Sequence, residues 1–157
     1  MPFYQRWALS LISHTMPWLQ VSGRGLEITP SDNIEMLQAL GRDPLVIKET
    51  RVDTVWGLVN LMDRALAGAS TFDKKALILY GAKDEIIKKH ATETMFRRLP
   101  RVPSTVRRVV VYENGYHMLI RDLAAEKYWR DVVSWMRFPS EPLPSGTDQS
   151  GWHALEN

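Results

Sequence analysis

A chain of 157 residues suits a single domain, and its 45% apolar and 24% charged residues are an ordinary globular composition. The absence of cysteine excludes disulfides, thiolate zinc sites, iron–sulfur clusters and a cysteine nucleophile. A net charge of +2 is too small to imply a polyanionic partner, and the apolar runs are far shorter than the roughly 18 residues that a membrane span needs.

Three regions differ in character along the chain. Residues 1–75 show helical spacing of apolar side chains and are rich in tryptophan and methionine. Residues 76–137 alternate predicted strands and helices. Residues 138–157 contain three prolines, two glycines and several polar residues, so we predict a flexible polar tail there.

The first region contains two clearly predicted helices. Thr29 is expected to be the N-cap of the first, with Pro30 at the first helical position and Asp32 at the third, and Gly41 is expected to end it. The second is predicted from about Asp53 to Ala67. It is apolar nearly all round, which is typical of a helix that is buried or that covers an apolar surface.

The second region is a predicted β-α-β-α unit. Ala76–Tyr80 and Val109–Tyr112 are continuous apolar runs of strand length, and helices are predicted over Ala91–Leu99 and Ala125–Met136. Two strands joined through a helix of this length are expected to be parallel. The sequence therefore predicts an α/β fold.

A reactive side chain follows each of these two strands. Asp84 comes just after the first strand, and His117 comes just after the second. Adjacent parallel strands lie about 4.8 Å apart, so loops that leave their carboxyl ends can bring a carboxylate to a ring nitrogen. An aspartate bonded to one nitrogen fixes the tautomer and leaves the other nitrogen to act as a general base. Either residue alone is more often structural, but their occurrence on consecutive strands favours a catalytic pair.

Three stretches of the sequence together resemble the C-terminal part of an α/β-hydrolase. The strand and Gly-x-x-Asp from Leu77 to Asp84 resemble the segment with the acid, and Val109 to His117 resembles the histidine loop. The Asp43-Pro44-Leu45-Val46 stretch and the helix with Trp56 resemble the cap insertion. The resemblance covers roughly residues 4–137. It is to the monoacylglycerol lipase and lysophospholipase branch, also described as serine aminopeptidase-like α/β-hydrolases.

The resemblance implies a partial α/β-hydrolase fold, with residues 1–75 as a helical cap or lid and residues 76–137 as the C-terminal part of the core. It implies a serine hydrolase of carboxylic esters in which Asp84 orients His117 and His117 is the base. The match to Gly-x-x-Asp favours Asp84 over its neighbour Glu85 as the acid. A local pair between His117 and Asp122 stays open.

An apolar cap is suited to a small apolar or lipid-like ester substrate, and no cofactor is implied. The aromatic and methionine side chains of the cap either line an acyl-chain pocket or form an ordinary core. These side chains are Trp7, Met16, Trp18, Met36, Trp56 and Met62.

The sequence departs from the family at the nucleophile, because none of its ten serines lies in a Gly-x-Ser-x-Gly elbow. We therefore expect the elbow, the oxyanion-hole loop and the early strands to belong to an N-terminal half that this chain lacks. The chain alone is expected to be inactive and marginally stable, or to self-associate through an exposed sheet edge. The alternative is a non-catalytic interaction module, or a degenerate hydrolase remnant.

Other kinds of site are disfavoured. A cluster of arginines is interpreted as a solvated helix end and loop rather than as a nucleic-acid or phospholipid site, because the overall charge is nearly balanced. These arginines are Arg97, Arg98, Arg101, Arg107 and Arg108. The four histidines lack metal-ligand spacing, so no metal is expected. The first residues lack the layout of a signal peptide, so the expected location is cytoplasmic, with peripheral membrane contact left open.

Overall fold

The computed structural model describes residues 3–23 and 25–147. It contains five α-helices and four strands within those residues. In chain order they are α1 (Phe3–Thr15), β1 (Gln20–Ser22), α2 (Ile34–Arg42), β2 (Glu49–Arg51), α3 (Val52–Gly68), β3 (Ala76–Gly81), α4 (Lys89–Arg98), β4 (Arg107–Tyr112) and α5 (Ala125–Arg137). Short 3₁₀ turns cover Ala69–Thr71 and Leu119–Arg121.

The chain divides into two compact units, each assembled from two stretches of sequence. Among the described residues, one unit contains 3–23, 25–27 and 42–68, and the other contains 28–41 and 69–147. Residues 28–41, which lie within the helical region 1–75 of the sequence, therefore belong to the unit that contains β3 and β4. The proposed domain limits at residues 75 and 137 stay a prediction.

The helical unit is built from α1, α3 and a short antiparallel ladder. β1 pairs with β2 from Gln20 opposite Arg51 to Ser22 opposite Glu49. The α1 and α3 helices contact each other, and the Arg6 guanidinium bonds to Asp63 on α3. The predicted helix from Asp53 to Ala67 is confirmed as α3, although several of its apolar side chains are about half exposed. These are Leu58, Leu61 and Met62.

The second unit is organised around a parallel pair of strands, as predicted. β3 and β4 run in register from Ala76 beside Arg107 to Gly81 beside Tyr112. Every residue of β4 is buried, whereas the first four residues of β3 are only partly buried. The period of two along a strand divides the β4 side chains between two apolar clusters. Val109 and Val111 pack with Phe96 of α4, and Val110 and Tyr112 pack with Tyr128 of α5.

The predicted start of α2 is wrong. The helix begins at Ile34, and its N-cap is Asn33, whose Oδ1 accepts the Met36 N–H at 3.1 Å. Thr29, which was expected to be the N-cap, instead donates its backbone N–H to a glutamate side chain 56 residues farther along the chain. Local capping signals before Asn33 are therefore used in tertiary hydrogen bonds.

The interpretation of the arginine cluster is wrong for two of its members. Arg107 and Arg108 lie in β4 and are buried. Arg107 donates to the carbonyl oxygens of Phe72, at 2.9 Å, and of Pro100. Arg108 donates to the carbonyl oxygens of Glu141, at 2.7 Å, and of Pro139. Both guanidinium groups are buried and donate to loop carbonyl oxygens, so they are structural rather than solvated.

Two residues of the stretch 138–147 contact the rest of the second unit, and the predicted flexible polar tail stays a prediction. Leu143 is only 3% exposed and belongs to the cluster around Val110. The Ser145 N–H donates to Oδ1 of the buried Asp131, at 2.9 Å. Residues 148–157 of the predicted tail lie outside the described residues. Within residues 3–23 and 25–147, no helix is both long and apolar enough to cross a membrane.

Candidate active site

The predicted acid is held in the turn that follows β3. Asp84 donates its N–H to the Gly81 carbonyl at 3.0 Å. Its Oδ1 accepts the N–H groups of Ile86 and Ile87, both at 2.8 Å. The Asp84 side chain is 7% exposed. Two backbone donors on one carboxylate oxygen fix the plane of the carboxylate, and Oδ2 is left for another partner.

That partner is the predicted base. Oδ2 of Asp84 lies 2.9 Å from Nδ1 of His117. In this arrangement the Nδ1–H tautomer donates to the carboxylate. The His117 side chain is 36% exposed, and no described residue forms a hydrogen bond to its Nε2. The structure therefore brings together the two side chains that the sequence selected, with one ring nitrogen oriented and the other open.

Backbone contacts hold the two loops in place past the last residues of β3 and β4. The Ala82 N–H donates to the Tyr112 carbonyl, and the Lys83 N–H donates to the Gly115 carbonyl, both at 2.9 Å. A Cβ at Gly81 would lie less than 3.0 Å from backbone atoms of Gly115 and of its neighbour. Glycine is therefore required for this close approach, which sets the separation of the acid and histidine loops.

The Tyr80 hydroxyl also supports the acid loop, because it donates to the Ile87 carbonyl at 2.9 Å. Burial above all raises the pKa of the Tyr80 phenol, and the nearby carboxylates of Asp84 and Glu93 act in the same direction. The hydroxyl thus remains a protonated donor at neutral pH. It fixes the end of the same turn whose N–H groups hold Asp84.

Comparison with known proteins gives the family. Residues 1–124 match the family described as serine aminopeptidase, S33. The chain belongs to that family. The S33 match and the parallel strands confirm the predicted resemblance. The fold class is a partial α/β-hydrolase fold, as predicted.

A solved structure has a similar fold. The crystal structure of the monoacylglycerol lipase of Paleococcus ferrophilus is similar, with a TM-score of 0.72 and 21% sequence identity. The match covers 87% of this chain and 52% of the lipase chain, so this chain spans about half the length of that structure. No curated protein matches the sequence.

The two competing carboxylates have other partners in this S33 family member. Oε2 of Glu85 accepts the Thr29 N–H at 2.6 Å. Asp122 is 3% exposed, and its two oxygens accept the Ser31 hydroxyl at 2.6 Å and the Tyr116 N–H at 2.9 Å. The contact to His117 is therefore made by Asp84 rather than by either alternative.

The hydrogen bond between Ser31 and Asp122 is a feature that the sequence does not predict. These residues lie 91 positions apart, and from the sequence alone Ser31 is only a residue between Pro30 and Asp32 at the predicted start of a helix. The single signal in the sequence was a cluster of small polar residues directly after a proline, and local capping explains such a cluster equally well.

The apolar residues of the predicted cap are mostly exposed. Trp7 and Trp18 are exposed by 63% and 66%, and Met16 and Met62 by nearly half. Trp7 lines a shallow cavity of about 350 Å³ on α1, together with Ser10, Leu11 and His14. Among the described residues, no group of three or more histidine, aspartate or glutamate side chains is placed to hold a metal ion.

Proposed function

We propose that Asp84 and His117 are the acid and the base of a serine hydrolase that cleaves carboxylic esters. The observation that carries this proposal is the 2.9 Å contact between Asp84 Oδ2 and His117 Nδ1 at the carboxyl ends of adjacent parallel strands. Nε2 would take the proton of a serine hydroxyl as the serine attacks the ester carbonyl. It would return that proton to the leaving alcohol, while Asp84 stabilises the imidazolium formed in between.

The proposed nucleophile lies on a segment that this sequence does not contain, on the same polypeptide or on a complementing chain. None of the ten serines is in a Gly-x-Ser-x-Gly elbow. Without an activated serine and an oxyanion hole, Asp84 and His117 have no acyl group to act on. We therefore propose that the 157 residues alone do not hydrolyse esters.

A lipid-like ester is the proposed substrate class, and peripheral membrane contact goes with it. The support comes from the similar structure, which is that of a monoacylglycerol lipase, and from the exposed tryptophans of the helical unit. Tryptophan is favoured where an apolar surface meets the headgroup region of a bilayer. No cofactor, metal or nucleic acid is part of the proposal, and the cytoplasmic location stays a prediction.

Fluorophosphonate labelling of the 157-residue chain, with intact-mass detection, tests the proposed role of the missing segment. These reagents react with a serine only when a base and an oxyanion hole activate it. We expect no adduct on the chain alone, under conditions that label an intact serine hydrolase completely. A stoichiometric adduct would show that one of the ten serines is activated, and it would contradict the proposal.

The free side of β3 is the proposed route of self-association. Within the part of the chain that the structure describes, β3 pairs only with β4, and its first four residues are partly exposed. An unpaired strand edge can pair with a second copy. We expect sedimentation velocity to show a mass that rises with concentration. A monodisperse monomer with one cooperative thermal transition would contradict this expectation.

The same exposed edge favours the second candidate function, a non-catalytic interaction module. In that case partner binding would not depend on His117. The two functions are therefore separated by substitutions at His117, which would abolish hydrolysis but leave strand pairing intact.

A further inference from the structure

A short stretch before α2 crosses both loops of the proposed acid–base pair. We call residues 29–33 the crossing segment. It meets the acid loop where the Thr29 N–H donates to Glu85, the neighbour of Asp84. It meets the histidine loop where the Pro30 carbonyl accepts the Met118 N–H at 2.9 Å. These two hydrogen bonds are made at the residues that follow Asp84 and His117 in the sequence.

The centre of this arrangement is a buried carboxylate. Asp122 accepts the Ser31 hydroxyl on Oδ1 and the Tyr116 N–H on Oδ2. Ser31 is fully buried, and its oxygen also accepts the Asn33 N–H at 3.2 Å. A buried carboxylate is costly unless its oxygens are bonded, and bonds to an ionised group are stronger than bonds between neutral groups. The hydrogen bond between Ser31 and Asp122 thus strongly constrains the histidine loop.

The constraint acts on both sides of His117. The Tyr116 N–H is held by Asp122, and the Met118 N–H is held by Pro30. The described hydrogen bonds of Asp122 and Ser31 do not include one to the imidazole. The contact of His117 with Asp84 depends on where the loop places the ring, since hydrogen bonds weaken steeply with distance and angle.

We propose that Asp122, held by Ser31, is a positioning residue that fixes the histidine loop so that His117 Nδ1 stays bonded to Asp84. The description of His117 as a base rests on the proposed function, but the effect on the His117–Asp84 bond does not need the nucleophile. It can therefore be measured on the 157-residue chain itself.

The test is proton NMR of the His117 Nδ1–H and its exchange with water. In the unmodified chain this proton is expected to be protected by the bond to Asp84. Loss of a bond to a charged group shifts a local opening equilibrium by about tenfold, so we expect Asp122→Ala to speed exchange of this proton by about tenfold. Asp122→Asn should restore most of the protection, because its amide can accept from Tyr116 N–H and donate to the Ser31 oxygen.

Asp131→Ala is the matched control. Asp131, like Asp122, is buried and accepts one hydroxyl, from Tyr112 at 2.7 Å, and one backbone N–H, from Ser145. The Asp131→Ala variant should lower the stability of the chain without changing the exchange rate of the His117 Nδ1–H. Ser31→Ala is the milder variant should Asp122→Ala not fold, and it should also speed exchange.

Each remaining outcome decides against the proposal. Exchange of the His117 Nδ1–H at the wild-type rate in both Asp122→Ala and Ser31→Ala would overturn it. An equal acceleration of this exchange in Asp131→Ala would also overturn it. If Asp84→Asn left the proton unaffected, the acid–base pair itself would not exist, and the proposed function would fail as well. If Asp84→Asn removed the protection while the Asp122 and Ser31 variants did not, only the positioning role would fail.

Discussion

His117→Ala is expected to lower kcat for ester hydrolysis by about 10⁴-fold or more in a polypeptide that joins this chain to a Gly-x-Ser-x-Gly segment. The substitution removes the group that would accept the serine proton, so the loss should fall on kcat rather than on KM. Asp84→Asn should cost about 10⁴-fold, because the amide cannot stabilise the imidazolium and favours the wrong tautomer. Initial rates on a short-chain ester measure both.

The double variant sharpens this test. Groups that act as one unit are not additive, so Asp84→Asn with His117→Ala should be no slower than His117→Ala alone. His90→Ala is the control, because His90 is an exposed histidine on α4, and it should retain full activity. Activity that is indifferent to both Asp84→Asn and His117→Ala would contradict the assignment of the pair.

The second unit could be predicted because its signals are local and agree with one another. β3 and the Val109–Tyr112 part of β4 are continuous apolar runs, which indicate strands buried on both faces. The helix between them has the length of a crossover, so the parallel pairing followed from chain order. Asp84 and His117 come directly after the two strands, so the geometry of parallel sheets predicted that their side chains lie close together.

What escaped prediction depends on partners that are distant in sequence. Arg107 and Arg108 belong to a strand, although a charged pair usually indicates a solvated loop, because carbonyl oxygens from other loops satisfy them. Leu143 is buried in a stretch of tail-like composition because α5 and β4 offer an apolar surface. Ser31 donates its hydroxyl to Asp122, which lies 91 positions away. In each case a tertiary contact overrides the local preference.

Gly81→Ala is expected to destabilise the second unit by at least about 2 kcal/mol and to separate the two loops. The new Cβ would lie within 3.0 Å of the Gly115 carbonyl and of the Tyr116 carbonyl oxygen, and backbone atoms cannot rotate away as a side chain can. The clash is removed only if the acid loop and the histidine loop move apart. That movement would break the Lys83–Gly115 hydrogen bond and pull Asp84 away from His117. Urea unfolding followed by circular dichroism should show a midpoint lower by about 1 M or more.

Gly41→Ala controls for the general effect of adding a methyl group to a glycine. Gly41 lies near the end of α2 in the same unit, and a Cβ there meets nothing within 4 Å. Alanine restricts the unfolded chain, so this variant should be more stable by about 0.5 kcal/mol. The two alanine substitutions are thus expected to act in opposite directions, and only Gly81→Ala should also expose the His117 Nδ1–H to exchange. Equal midpoints for the two variants would show that the close approach of Gly81 and Gly115 does not hold the acid and histidine loops together.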